Sequence, residues 1–371
     1  MTSVASARAE RLTPRARALL PVFLALLVAL AVRQLWCAAP PRAELAGAAM
    51  GTRWSVVLGA AGHSRADVER ARTAVEATFA SVERHMSTWD PDSELSRFNR
   101  HASDEPFVLS SETLAVFAIA QEVSERSAGA FDVTVHPLVA AWGFGADAYA
   151  PGTAPVPADL AALRARVGFR LLELAPTAGA ARKRHPQLQC DLSAVAKGFA
   201  VDLAAEALAG LGFGDFLVEL GGEVRVGGER PGGGAWRVAI ERPDSDAREV
   251  QASVELRDAA LATSGDYRSF YEKEGERLSH LLDPRSGRPV RHSLASVSVV
   301  HREAAFADAW ATALAVLGPE EGFARAEAES LGAYFIERTA SGGFRVRATS
   351  RFPLVRELAP PPVRDAPEPG P

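Results

Sequence analysis

Asp308 and Thr312 stand four residues apart in Phe306-Ala-Asp-Ala-Trp-Ala-Thr312, a stretch with helical spacing. On a helix that spacing turns both oxygens to one side. A carboxylate and a hydroxyl together suit a hard cation such as Mg²⁺, which takes few protein ligands and completes its shell with water and phosphate oxygens. Alone, such a pair is more often merely solvated or capping. A second stretch, Asp191-Leu-Ser-Ala-Val-Ala-Lys-Gly-Phe-Ala-Val-Asp202, reads as a strand end running into a helix, with Ser193 as its cap. Helix N-termini attract phosphate through their free N–H groups, and Lys197 adds a positive charge one turn in. The same residues serve equally well as a plain connection with a surface lysine.

Two further segments carry weaker chemistry. Glu219-Leu-Gly-Gly-Glu223 offers paired glycines, which let a backbone approach a ligand closely but also make an ordinary tight hairpin. His280-Leu-Leu-Asp-Pro-Arg-Ser-Gly287 ends in turn chemistry. His280 just before that turn is a candidate general base near neutral pH.

The elements that must position these residues mix helix and strand without regular alternation. Residues 54–58 read as a first strand. Residues 66–86 have helical spacing, with Val68, Val75, Phe79 and Val82 as the apolar stripe. A helix over 114–123 follows the cap-like Ser110-Ser111-Glu112. Residues 195–211 read as a third helix, ended by Gly212. Strands at 216–219, 223–226, 236–240 and 254–256 suggest a meander broken by glycines. A strand at 295–300 leads into a long helix over 303–317, and 333–336 with 344–346 reads as a closing hairpin. Strands clustered beside long helices predict an α+β architecture rather than a doubly wound sheet.

The 371 residues allow one large or two modest domains. With 41 basic against 46 acidic residues and a net charge of −5, the chain has no general attraction to nucleic acid. At the N-terminus, Arg8, Arg11, Arg15 and Arg17 precede an apolar run over 18–32, broken only by Pro21. A basic flank before an apolar run is the pattern of a secretory signal or anchor. It predicts a cytoplasmic start, an inner-membrane anchor and a catalytic part on the periplasmic side. Cys37 stands where a bacterial lipoprotein carries its lipidated cysteine, although Gln34-Leu35-Trp36 is a poor approach to it. An uncleaved anchor and a lipoprotein both stay open. The only other cysteine is Cys190, so no disulfide framework is indicated. The expected organisation is an anchor over 1–37, a linker over 38–49, a folded domain over 50–358 and a proline-rich tail over 359–371.

Taken together and in this order, the segments resemble the ApbE-type FAD:protein FMN transferase family. The likeness begins at Met50-Gly-Thr-Arg-Trp54. It continues through Met86-Ser-Thr-Trp-Asp-Pro-Asp-Ser-Glu-Leu-Ser-Arg-Phe-Asn99, Gly129-Ala-Phe-Asp-Val-Thr-Val-His-Pro-Leu138, Trp142-Gly-Phe-Gly145 and Thr263-Ser-Gly-Asp266. The resemblance implies two lobes with FAD in the cleft between them. It matches Met50, Trp89, Ala130, Phe131 and Asp132 to positions lining the flavin or adenine. Asp191, Lys197 and Leu282 match further FAD contacts. Asp308 and Thr312 match magnesium ligands, with the main-chain carbonyl of Ala194 beside them. His280 is the implied base, assisted or replaced by Asp283.

Three positions depart from the pattern. Trp89 replaces a tyrosine, Ala311 stands where some members carry an additional acidic ligand, and Lys197 occupies a place that is acidic in some members. The implied reaction is a Mg²⁺-dependent transfer of FMN from FAD to a threonine or serine hydroxyl of an acceptor protein, with AMP leaving. The resemblance suggests membrane redox complexes as the acceptors. Two other readings remain at this level: an FAD pyrophosphatase, in which water replaces the acceptor, and a non-catalytic FAD-binding protein of the envelope.

Overall fold

The computed structural model describes residues 42–59, 61–145, 159–243, 249–266, 270–273 and 276–357. The expected anchor over 1–37 and the tail over 359–371 lie outside the described residues.

The framework is an eight-stranded sheet whose strands follow one another in chain order, each antiparallel to the next. Its strands are β1 (Arg42–Ala49), β2 (Thr52–Gly59), β3 (Phe216–Leu220), β4 (Glu223–Gly227), β5 (Ala260–Gly265), β6 (Leu294–His301), β7 (Gly332–Arg338) and β8 (Phe344–Ala348). Alternation decides the faces. Trp54, Val56 and Leu58 of β2 and Phe216, Val218 and Leu220 of β3 point to one core, as period-2 geometry requires. The intervening residues point the other way.

Helices α1 (Arg65–Met86), α3 (Ala196–Gly210) and α4 (Ala304–Ala328) pack on the first face, and α2 (Ser111–Arg126) packs against α1 and α4. The α1 helix starts with a reciprocal cap between Ser64 and Asp67 and buries Ala71, Val75, Phe79 and Val82. Ser110 caps α2 by accepting from the Thr113 amide. Its hydroxyl and amide in turn donate to the buried Glu94. The first segment of α4 ends at Leu317, because Gly318 takes φ 80° and Pro319 restarts the helix.

On the opposite face lies a small antiparallel sheet, ordered Val355–Glu357, Val250–Leu256, Trp236–Glu241. Trp236, Val238 and Ile240 interlock there with Val224, Val226 and Leu261 of the large sheet. The architecture is therefore α+β, as expected.

Three expectations need correction. Residues 42–49, expected as part of a linker, form edge strand β1, paired along its whole length to β2. Its sequence carries only one large apolar residue, Leu45. The strands over 216–256 are not one meander: the first two join the large sheet and the last two the small one. Finally, Ser193 does not cap a helix. Its amide is bound by the Asp191 carboxylate, and α3 begins three residues later.

Candidate functional site

The large-sheet strands end at two tight turns. Met50 and Gly51 connect β1 to β2 with φ of 50° and 72°, and Gly221 and Gly222 connect β3 to β4 with φ of 65° and 112°. Two-residue hairpins of this hand need left-handed backbone at both positions. Glycine supplies it freely, whereas Met50 is held there against its preference. A Cβ on Gly221 would lie 2.8 Å from Thr52 Cγ2, so the two turns pack together. Beside them opens a cleft of about 1630 Å³.

Helices α3 and α4 meet at the floor of this cleft, and Gly198 sets how closely. A Cβ there would lie 2.3 Å from the Ala304 carbonyl oxygen. Bare backbone on α3 lets α4 come in, and the Gly198 amide then donates to Asp308 Oδ2 at 3.1 Å. Asp202, one turn further along α3, accepts from the Ala304 and Ala305 amides at 2.8 and 2.9 Å. It thus caps the N-terminus of α4 from outside, where orphan N–H groups need an acceptor. Arg225 of β4 pairs with the same carboxylate at 2.6 Å. The helix that carries Asp308 and Thr312 is fixed at its start by α3.

Asp308 is 5% exposed. Burial is the main force on its carboxyl and raises its pKa, opposed by the Lys197 charge and the Gly198 amide. Lys197 does not simply face open cleft as a phosphate anchor: its ammonium makes a close ion pair with Glu223 of β4. Glu223 is buried, and its pKa is pushed up to about 7 by burial against the pull of Lys197, with Asp308 adding repulsion. Its second oxygen, Oε2, is buried and finds no hydrogen-bond partner among the described residues. Local sequence reading stopped at the glycine pair and missed Glu223.

A cation fits this chemistry. Among the described residues no three His, Cys, Asp or Glu side chains converge to cage a metal. Mg²⁺, however, normally binds through only one or two carboxylates. Asp308, Thr312 and Ala194 all line the cleft, and the orphaned Glu223 oxygen marks a spot where positive charge is under-supplied.

The remaining sequence candidates gather in the same cleft, with one exception. Met50, Ala130, Phe131, Asp132, Asp191 and Leu282 line it. The Asp132 carboxylate is engaged internally, accepting from Thr134 and from the Phe169 amide at 2.7 Å. Burial raises its pKa, with those hydrogen bonds opposing. What it gives the cleft is the shape of the Ala130-Phe131 turn. Trp89 lines the rim and is 69% exposed, leaving an indole face available for a flat ring. His280 also lines the cleft, edge-on to Phe144 with ring centroids 6.4 Å apart. Asp283 does not line it. Its carboxylate is clamped by the Arg285 guanidinium at 2.9 and 3.2 Å and by the Arg285 amide, which leaves it badly placed to assist or replace a base.

An α+β domain with a deep cleft, a buried carboxylate at a helix crossing and an exposed indole at the rim has the parts of an enzyme that handles a flat-ringed, phosphate-bearing ligand. Comparison with known proteins narrows this further. The sequence profile of the ApbE family matches residues 50–335. A Vibrio cholerae protein named FAD:protein FMN transferase is 41% identical over 309 residues, covering 83% of this chain and 91% of its own length. Among solved structures, the flavin transferase ApbE from Vibrio cholerae superposes with a TM-score of 0.76 at 40% identity, over 84% of this chain and 98% of that one. The Pseudomonas stutzeri flavinyl transferase ApbE in its apo form gives 0.76 at 35% identity, over 85% and 96%. The chain belongs to the ApbE family.

Proposed function

We propose that the chain is an FAD:protein FMN transferase that uses Mg²⁺ to move FMN from FAD onto a threonine or serine hydroxyl of an acceptor protein, releasing AMP. The observation that carries the reading is the buried Asp308 carboxylate with Thr312 one turn on, at the floor of a cleft that also holds His280 and Trp89. FAD would lie in the cleft, with Trp89 stacking on a ring of the dinucleotide. Asp308, Thr312 and the Ala194 carbonyl would hold the cation. When bound, Mg²⁺ supplies charge neutralisation at the pyrophosphate. His280 would accept the proton of the attacking hydroxyl. That oxygen bonds to the FMN-side phosphorus, the pyrophosphate P–O bond breaks, and AMP carries the electron pair away. Lys197, tethered by Glu223, would keep a fixed positive charge close to the Asp308 carboxylate. Most of the rate in such a transfer comes from positioning and charge stabilisation.

The basic flank and apolar run at residues 8–32 support an N-terminal anchor in the inner membrane with the enzyme on the periplasmic side. No helix among the described residues is long and apolar enough to span a bilayer, so the anchor would rest on that run. Membrane redox subunits are the acceptors this placement favours. The test is to incubate the purified protein with FAD and a membrane-protein extract, with Mg²⁺ or with EDTA. Acceptors should gain the mass of FMN less water, with stoichiometric AMP, only when Mg²⁺ is present. AMP without acceptor modification would mean that water is the acceptor. Acceptor modification undiminished by EDTA would remove the metal.

A further inference from the structure

The floor of the cleft holds one buried charged side chain that the chemistry above leaves half used. Glu223 opens β4 directly after the Gly221-Gly222 turn, is 3% exposed and lines the cleft. Alternation along β4 decides its direction. Val224 and Val226 point into the cluster beneath the small sheet, so period-2 geometry turns Glu223 and Arg225 to the helix side. There Arg225 meets Asp202 and Glu223 meets Lys197, both of α3. Lys197 is followed in the chain by Gly198, whose amide donates to Asp308 Oδ2. Glu223 and Asp308 are thus held by adjacent residues of one helix, and Glu223 feels the Asp308 charge.

A carboxylate offers two oxygens and about four acceptor sites. Oε1 is taken by the Lys197 ammonium, whereas Oε2 is buried without a hydrogen-bond partner among the described residues. Leaving a buried ionised acceptor unsatisfied costs more than leaving a neutral one, so Oε2 calls for a donor that comes from outside the chain. A hydroxyl of the dinucleotide would satisfy the lone pair but not the charge, because Glu223 and Asp308 share one ammonium. A hydrated cation satisfies both. Mg²⁺ takes one or two carboxylates and keeps several of its waters. Groups that receive hydrogen bonds from a metal's own ligands orient those ligands and add to affinity. The ion pair with Lys197 grips the other oxygen, which restrains the Glu223 carboxylate from moving in as a direct ligand.

We propose that Glu223 is a positioning residue of the cation site, its Oε2 accepting a hydrogen bond from a water in the hydration shell of the ion that Asp308 and Thr312 hold. This rests on the reading of Asp308 and Thr312 as ligands of that ion. Lys197 then has a second task besides supplying charge: it fixes the carboxylate that orients the water.

The probe is Mn²⁺, an ion of the same oxygen-ligand preference as Mg²⁺, titrated into the full-length protein without nucleotide, with the free ion read by electron paramagnetic resonance. Glu223→Gln should weaken Mn²⁺ binding by roughly 10–100-fold, while the Kd for FAD without metal stays unchanged. Its transfer rate should fall at limiting Mg²⁺ and recover at saturating Mg²⁺, since the change acts through occupancy of the ion. Lys197→Met breaks the same ion pair but removes a positive charge, and should tighten Mn²⁺ binding instead. A merely structural pair would move both variants the same way. Should Glu223→Gln fail to fold, the double variant Lys197→Met/Glu223→Gln buries neither charge and carries the test: it should bind Mn²⁺ at least about tenfold more weakly than Lys197→Met. Parental Mn²⁺ affinity in Glu223→Gln, weakening in both single variants, or lost FAD affinity with Mn²⁺ binding intact would each overturn the proposal. So would a double variant that binds Mn²⁺ as Lys197→Met does. Asp308→Ala separates this proposal from the reading beneath it. Mn²⁺ binding that survives there would remove the cation site itself, whereas loss there with full binding in Glu223→Gln would overturn the role of Glu223 alone.

Discussion

Gly198→Ala adds one methyl group at the point where α3 and α4 cross. The new Cβ would meet the Ala304 carbonyl oxygen at 2.3 Å, the Ala304 carbonyl carbon at 2.6 Å and the Ala305 Cα at 2.8 Å. All three are backbone atoms, so no side chain can swing aside. The helices must separate by roughly 1 Å to restore ordinary van der Waals contact. Overpacking of this kind costs about 1–3 kcal/mol, while alanine in place of glycine in the first turn of α3 returns at most about 1 kcal/mol. The net loss is then roughly 0–2 kcal/mol, which lowers the melting temperature by up to about 6 °C. The effect on the reaction should be larger than the effect on stability. Separation breaks the bond from the Gly198 amide to Asp308 Oδ2 and displaces the carboxylate, and a misplacement of about 1 Å can cost on the order of a hundredfold in rate. Circular-dichroism melts and the FMN-transfer assay, run on the same preparation, would measure both. A variant more stable than the parent would refute the close crossing. A destabilised variant with full transfer would refute the claim that Gly198 positions Asp308.

Three further outcomes are expected. Asp308→Ala should abolish flavin transfer and Mg²⁺ binding by calorimetry while the fold survives, and Thr312→Val should be milder, because a neutral hydroxyl contributes less to holding a cation; parental turnover at limiting Mg²⁺ in Asp308→Ala would end the metal assignment. His280→Asn should lose about a hundredfold or more in rate and flatten the fall in transfer at acidic pH, with FAD affinity retained; an unchanged pH profile would remove His280 as the base. Lys183 is fully buried on its donation to the Asn99 carbonyl at 3.0 Å, and burial lowers its pKa from 10.5 to about 8. The unfolded chain therefore binds the extra proton between those values, so stability should climb as pH rises from 8 to 10.5, by on the order of 3 kcal/mol at most. Lys183→Met should erase that climb in urea titrations; a climb that persists would place its cause elsewhere.

The helices were legible because each carries its own stripe and start signal, as Ser110 and the run Val75, Phe79, Val82 illustrate. Strand β1 was not legible, since Arg-Ala-Glu-Leu-Ala-Gly-Ala-Ala buries little and gains its place from pairing with β2. Alternation identified the strands between residues 216 and 256 but not their sheets, because period 2 fixes faces and says nothing about partners. At the site, Asp308 and Thr312 were visible through spacing on one helix. Glu223 was not, because its meaning lies in an ion pair 26 residues away on another element. Asp283 misled for the opposite reason: its neighbour Arg285 looked like part of a turn and proved to hold its carboxylate.

The placement of Lys197 and Glu223 follows from the electrostatics of the helix crossing. Two buried carboxylates near one another would be costly without compensating charge. The protein's own groups offset them with one ammonium, and the Gly198 amide adds a partial positive charge to Asp308. Burial is the main force that pushes both carboxyls up, and one full positive charge shared by two acidic groups leaves it only partly offset. Arg225 of β4 is already committed to Asp202. A divalent cation beside Asp308 would supply the missing charge and pull both carboxyls down again. The lysine with its partner glutamate is thus a way of holding Asp308 in place at little cost while leaving the site short of positive charge.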